Sequence, residues 1–247
     1  MNDIASREAM ISGWFQEETG EIFKGVPISP ADEVVDVGCG RSGNIHFCAR
    51  MGARVTAVDL NEALLADLAV ALESVAPGRA RTIVGNASTI PVESNFATRI
   101  ICTEVLEHVE DTATVLSELF RIGKPGALYL ISVPGEQQEN LQKLVAHPSY
   151  FAAPNHIRII GQEQLVQMVS DAGLDVLSVD QQGFFWSIWM ALWWTTKRPL
   201  HQADHPALKH WESAWDAILN EEDGPWLKRQ LDGFLPKSVV LVARKPL

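Results

Sequence analysis

The residues best suited to chemistry lie in four short stretches. VVDVGCGRSGN, from Val34 to Asn44, joins an apolar run, a carboxylate (Asp36) and a glycine turn. Asp59 and Leu60 stand in TAVDLN, Asn86 and Ala87 in VGNASTIP, and Cys102, Thr103 and His108 in IICTEVLEHVED. A glycine turn after a buried strand lets the backbone approach a ligand closely. In an open parallel sheet that turn lies at the carboxyl ends of the strands, where ligands bind. An acid at the tip of the next strand can accept two ribose hydroxyls. Asp59 therefore points to an adenine nucleoside without choosing which. GCGRSG matches the dinucleotide pattern G-x-G-x-x-G letter for letter, a weak signal when it stands alone.

Asp36 helps to choose. A pyrophosphate favours backbone N–H groups and a helix N-terminus, and a fixed carboxylate beside it is unfavourable. S-adenosylmethionine carries no phosphate; its sulfonium and ammonium charges favour nearby carboxylates.

VVDVGCGRSGN, TAVDLN, VGNASTIP, IICTEVLEHVED and KPGALYLISVP occur in that order. They resemble the successive motifs of class I S-adenosylmethionine-dependent methyltransferases, in the small-molecule branch that includes the ubiquinone-biosynthesis type. The likeness is strong over residues 33–135 and weaker through HIRIIGQEQLVQMVSDAGLDVL. It implies a Rossmann-like α/β fold with a seven-stranded, mostly parallel sheet, the last strand antiparallel beside the fifth. It also implies that Asp36, Gly38, Cys39 and Gly40 border the methionine part of the cofactor. Asp59 then holds the ribose, Leu60 flanks the adenine, and Asn86 accepts from the adenine amino group with Ala87 packed near the base. Cys102 and Thr103 face the sulfonium end, with plain core the stronger alternative for Cys102, since buried free cysteine is common. The family loop has a third glycine that falls on Ser42 here, so Gly43, which completes the dinucleotide pattern, is a coincidence of the Arg41-Ser42 variation.

Methyl transfer needs an acceptor brought into line and, for a hydroxyl, a group that removes its proton. His108 is one candidate base, against a structural role shaping the cleft. His156, in PNHIRIIGQEQL, is the other, against a loop histidine capping the following helix. Arg158 is a candidate anchor for an anionic acceptor group, and Tyr150 and Asn155 are candidate pocket residues. His201, Asp204, His205 and His210 mimic a ligand set, but Pro206 breaks the helical pairing and the reading is a solvated segment; no metal is expected. The acceptor class is a hydroxyl on a small polar or sugar-containing metabolite, with a small amine as the alternative. A nicotinamide oxidoreductase and a non-catalytic S-adenosylmethionine binder are the rivals from other classes.

Elements must position these groups. Apolar strands at EVVDV, ARVTAVD, ARTIVG, TRIICT and ALYLISV alternate with helical stretches, which predicts βαβ units and a parallel sheet covered on both faces. Ala9, Ile11, Trp14, Phe15 and Ile22 recur at helical spacing, so the first 25 residues read as a helix and residues 1–32 as a helical lid. Residues 33–134 form the cofactor-binding core. Residues 135–247 complete the sheet and add a helical, aromatic-rich cap, inserted at about 183–236, whose tryptophans serve packing, a homodimer contact or an acceptor lid. One domain spans 1–247.

The net charge of -11 argues against nucleic acid and anionic membranes as partners. Three cysteines without C-x-x-C spacing suit a reducing cytoplasm. MNDIASREAM lacks the features of a signal peptide. GFFWSIWMALWWTT is shorter than the roughly 20 apolar residues a membrane span requires.

Overall fold

The computed structural model describes residues 4–41, 43–198 and 204–247. After helix α1 (Ile4–Ile11) come three short strands, β1 (Trp14–Gln16), β2 (Glu21–Phe23) and β3 (Val26–Pro27), paired antiparallel in order. The main sheet is built from β4 (Glu33–Val37), β5 (Arg54–Asp59), β6 (Ala80–Val84), β7 (Ala97–Thr103), β8 (Gly123–Pro134), β9 (Asp175–Gln182) and β10 (Ser238–Arg244). Their order is β6-β5-β4-β7-β8-β10-β9. Contacts from β6 through β8 are parallel, and β10 runs antiparallel to both β8 and β9. The reversal between β5 and β7 about β4 is the topological switch point, which opens a crevice at the carboxyl ends.

The central strands are apolar on both faces because helices cover both. Alternate residues separate into two cores. Val35, Val37, Ile100, Tyr129, Ile131 and Leu241 pack with α4 (Thr112–Ile122) and α6 (Gln162–Asp171). Val34, Ala57, Ile101, Leu130 and Val240 face α2 (Asn44–Arg50), α3 (Glu62–Val75) and β2. Capping follows the sequence: the Asn61 side chain accepts from Leu64 N–H at 3.1 Å and that of Asp111 from Thr114 N–H at 3.0 Å.

The N-terminal reading needs correction. The helix stops at Ile11, and the rest of the segment is a small antiparallel sheet. Gly13, Gly20 and Gly25 all have positive φ, which turns the chain where a helix would continue. Trp14 pairs across to Phe23 with ring centroids 4.9 Å apart, so side chains at apparent helical spacing meet across strands.

Helix α5 (Glu136–Val145) follows β8. Helices α7 (Phe184–Thr196), α8 (Pro206–Leu219) and α9 (Gly224–Phe234) form the cap between β9 and β10. Phe185, Trp189, Trp193 and Trp215 make a third core there, with Ile4 and Ile11 of α1 against it. A buried ionic knot fastens α1 to this cap. Lys228 lies 3.3 Å from Glu8 and 2.5 Å from Asp232, and donates to Ser12 at 2.9 Å. The Trp215 indole N–H donates to Glu8, and Asp232 accepts the N–H groups of Gly183 and Phe184 at the start of α7. Among the described residues no helix is long and apolar enough to cross a membrane.

Candidate active site

The turn after β4 is set by Gly38 (φ +68) and Gly40 (φ +50). A Cβ on Gly38 would stand 2.5 Å from Val105 Cγ2, so only glycine fits both the conformation and the space. Gly38 and Cys39 donate their N–H groups to the Val58 carbonyl at 2.8 and 3.2 Å. Asp59, at the tip of β5, accepts Gly40 N–H at 3.0 Å and Asn61 N–H at 2.9 Å. One carboxylate therefore ties the glycine loop to the next strand and fixes the direction of its remaining lone pairs. Asp36 is buried at the end of β4. Burial, followed by the nearby charges of Asp36 and Asp59, pushes the Cys39 thiol up to about 12, so it is not a nucleophile at neutral pH.

Leu60 is 70% exposed beside Asp59, an apolar surface open to a planar base. The Asn86 amide oxygen accepts Ser88 N–H at 2.9 Å, which shapes the turn after β6, and Ala87 packs on the core below it. Thr103 ends β7 and accepts from the Asn44 side chain at 3.1 Å. The Cys102 side chain points the other way and is wholly buried among Val37, Val105 and Ile131. Strand alternation puts Thr103 toward the crevice and the Cys102 thiol in the core, in line with the core alternative for that residue. Ser42 and His201 lie outside the described residues. His205 caps α8 by accepting Ala207 N–H, and Asp204 pairs with Arg198, so each has a local structural partner.

A cavity of about 500 Å³ opens where Thr103, Glu104 and Ser132 meet α1 and the start of α7. Trp14, Phe15 and Trp186 give it aromatic walls; Glu104, Lys237 and Gln182 give it polar ends. Glu104 holds a positive φ of 56°, a strained conformation for a side-chain-bearing residue. Its carboxylate accepts from Ser132 at 2.9 Å and is paired with Lys237. Neither Glu104 nor Lys237 was singled out in the sequence, because the pair joins β7 to a loop more than a hundred residues later. The acidic residue opening EVLEHV was the only local signal.

Next to this cavity, the turn Leu106–His108 meets the segment Pro148–Phe151 and the loop after it. Ile157 N–H donates to the Glu107 carbonyl at 3.0 Å and draws His156 into place. His156 Nδ1 is 2.7 Å from the Glu139 carboxylate, whose side chain is 1% exposed on α5. Tyr150 donates its hydroxyl to the other Glu139 oxygen at 3.0 Å, and its ring lies 4.3 Å from the His156 ring. The His108 and His156 rings meet edge-on at 4.9 Å. Glu107 is buried; its carboxyl is pushed up to about 9, first by burial and then by the charges of Glu104 and Glu139. Asn155 donates to the Ser149 carbonyl and Arg158 to that of Glu110, so both brace the loop carrying His156. The sequence did not suggest Glu139, the partner of His156.

A glycine turn braced by a carboxylate, a buried acid before it, and a seven-stranded sheet with an antiparallel insertion make up the fold that the sequence resemblance implies. Residues 35–131 match the family model described as "Methyltransferase domain". The chain is distantly similar to ubiquinone biosynthesis O-methyltransferases. It is 38% identical to that of Hahella chejuensis over 100 residues, covering 40% of this chain and 41% of the relative. Against that of Vibrio cholerae it is 27% identical over 201 residues, covering 70% and 78%. The chain spans less than two thirds of the length of the first curated relatives it matches. The fold is shared with phosphoethanolamine N-methyltransferase 2 of Haemonchus contortus, solved with S-adenosyl-L-methionine. The TM-score there is 0.58 and the identity 20%, over 90% of this chain and 50% of that one.

Proposed function

We propose that the chain transfers a methyl group from S-adenosylmethionine to a hydroxyl oxygen of a small polar or sugar-containing metabolite. The observation that carries the choice of oxygen is the His156 imidazole held at Nδ1 by the buried Glu139 carboxylate. Bound in the crevice, the cofactor supplies an electrophilic methyl carbon with a good leaving group. The protein's tasks are to hold that group, align the acceptor and take up a proton.

Asp36, Gly38, Cys39 and Gly40 border the methionine end, with Thr103 beside them. Asp59 holds the ribose, and Leu60, Asn86 and Ala87 surround the adenine. The aromatic walls of the cavity at Glu104 and Lys237 exclude water, while its polar ends orient a hydrogen-bonding acceptor. Glu139 fixes the His156 ring so that Nε2 keeps its lone pair and takes the hydroxyl proton. Tyr150 braces the same carboxylate. His108 packs against His156 and steadies that ring. Asn155 and Arg158 set the height of the loop from which an acceptor would be reached.

An amine acceptor is the second reading, since a neutral amine needs no base. Incubation with methyl-labelled S-adenosylmethionine and fractionated metabolites tests both. The expected result is label on an oxygen, with a loss of turnover of about 10²–10⁴-fold in His156→Ala at saturating cofactor. Label on nitrogen with His156→Ala unimpaired establishes the amine reading instead. Saturable cofactor binding without transfer to any fraction would make the chain a cofactor-binding protein only.

A further inference from the structure

The cavity walled by Trp14, Phe15 and Trp186 ends at the ionic knot that fastens α1 to the cap, because Glu8 and Ser12 of that knot line it. The charges of the knot do not balance. Two carboxylates, Glu8 and Asp232, share the single ammonium group of Lys228, and none of the three side chains is more than 6% exposed. At the other end of the cavity Lys237 is paired with Glu104, so those two charges cancel. With its carboxylates ionised, the cavity end at Glu8 carries one negative charge in excess. The Glu8 carboxyl shows the strain: burial raises its pKa, Lys228 and the Trp215 indole oppose the rise, and the charge of Asp232 adds to it. An uncompensated buried charge is costly, and a cation in the cavity removes the cost.

A second acceptor borders the same space. Gln182 ends β9, lines the cavity and is 8% exposed, and its amide oxygen accepts no hydrogen bond from another described residue. A buried acceptor left this way is also costly. The amide is planar, so a half-turn about its last bond offers that oxygen to a donor in the cavity. The walls suit the same ligand chemistry. The rings of Trp14 and Phe15, 5.7 Å apart and tilted by 44°, come from β1, and Trp186 comes from α7. Aromatic faces attract an organic cation, most strongly where water is excluded. Rings alone would suit a neutral apolar ligand equally; the excess carboxylate and the free amide oxygen make the difference.

We infer that this cavity binds an organic ammonium group of the methyl acceptor, held by the oxygens of Glu8 and Gln182 and the rings of Trp14, Phe15 and Trp186. The acceptor is then a hydroxylated amine rather than a neutral or anionic metabolite. Assigning the cation to the acceptor rests on the methyl-transfer reading, whereas the binding of a cation here does not. A protonated amine has no lone pair and is not methylated. It anchors the acceptor, and the hydroxyl is left for His156.

The test uses the whole chain saturated with S-adenosylhomocysteine, so that the cofactor site is filled. Calorimetric titration then compares three probes of similar shape and different charge: tyramine, 4-ethylphenol and 4-hydroxyphenylacetate. Tyramine should bind about 10–30-fold more tightly than 4-ethylphenol, and 4-hydroxyphenylacetate should bind weakest. Glu8→Gln keeps the side-chain shape and an acceptor for Trp215 but removes the excess charge, and the preference for tyramine should fall below about 3-fold. The net charge of -11 attracts any cation, so Glu163→Gln, on the exposed start of α6, is the control and should leave the preference unchanged. Equal binding of tyramine and 4-ethylphenol, no saturable binding of tyramine, or a preference that survives in Glu8→Gln overturns the inference. If Glu8→Gln is unfolded by circular dichroism, Gln182→Met decides: an unchanged preference overturns the site, and a reduced one supports it. S-adenosylhomocysteine binding, measured first, tests the methyltransferase reading separately. Its absence beside a Glu8-dependent preference for tyramine would remove that reading and leave the cation site standing.

Discussion

Replacing Lys228 by methionine should destabilise the protein by about 3 kcal/mol, near the lower end of what removing one partner of a buried ion pair costs. Lys228 is 1% exposed and sits between Glu8 and Asp232. Methionine fills similar volume but leaves two buried carboxylates without their cation. Both retain other partners: Glu8 keeps the Trp215 indole, and Asp232 keeps the N–H groups of Gly183 and Phe184. That retention places the effect toward 3 rather than 5 kcal/mol. The loss should also depend on pH. Burial already raises the Glu8 pKa, and Lys228 is the main group opposing it. Without Lys228 the folded-state pKa rises further above the unfolded value near 4.5. A carboxyl shifted upward contributes stability below its unfolded pKa and loses it as pH rises through the folded one. The deficit of the variant should therefore be larger at pH 8 than at pH 5. Urea unfolding of wild type and variant at both pH values, followed by far-ultraviolet circular dichroism, measures it. A difference under about 1 kcal/mol at pH 8, the worth of an exposed pair, would refute the idea that this knot fastens α1 to the cap. So would a deficit that shrinks with rising pH.

Gly38→Ala should abolish detectable cofactor binding by equilibrium dialysis, because a side chain at φ +68 costs about 1–2 kcal/mol and its Cβ would stand 2.5 Å from Val105 Cγ2. Repacking that contact adds about 1–3 kcal/mol, so the melting temperature should fall as well. Glu107→Gln should be at least as stable as wild type at neutral pH, with an advantage that grows as pH rises. Between pH 4.5 and about 9 the folded wild type holds a proton that the unfolded chain has released, which lowers its stability by up to about 1.4 kcal/mol per pH unit. Parallel unfolding curves at pH 5 and pH 8 test this; a variant less stable than wild type at both contradicts it.

The central strands of the main sheet were legible because both faces are covered, which makes them nearly continuous apolar runs bounded by turns. Gly38, Asp59 and the capping residues Asn61 and Asp111 were legible for the same kind of reason: each acts within a few residues of its own position. The N-terminal segment misled because Trp14, Phe15 and Ile22 satisfy helical spacing while three glycines demand turns, and the turns win. Cys102 was ambiguous because neighbouring residues at a strand end point to opposite faces. Glu139, Glu104 and Lys237 were hidden because their partners lie 17 to 133 residues away.

By itself the sequence determined the alternation of strands and helices, the glycine turn with its two acids, and hence the resemblance to methyltransferases. These are local matters of periodicity, turn conformation and side-chain chemistry. Tertiary structure alone decided which ionisable groups meet. Helix α5 carries Glu139 under His156, and the hydrogen bond from Ile157 to the Glu107 carbonyl brings that histidine against His108. Burial then leaves Glu107 without a hydrogen-bonding neighbour among the described residues. The pairing of groups distant in sequence, and the dielectric they share, exists only once the sheet has placed β7, β8 and the following loops side by side.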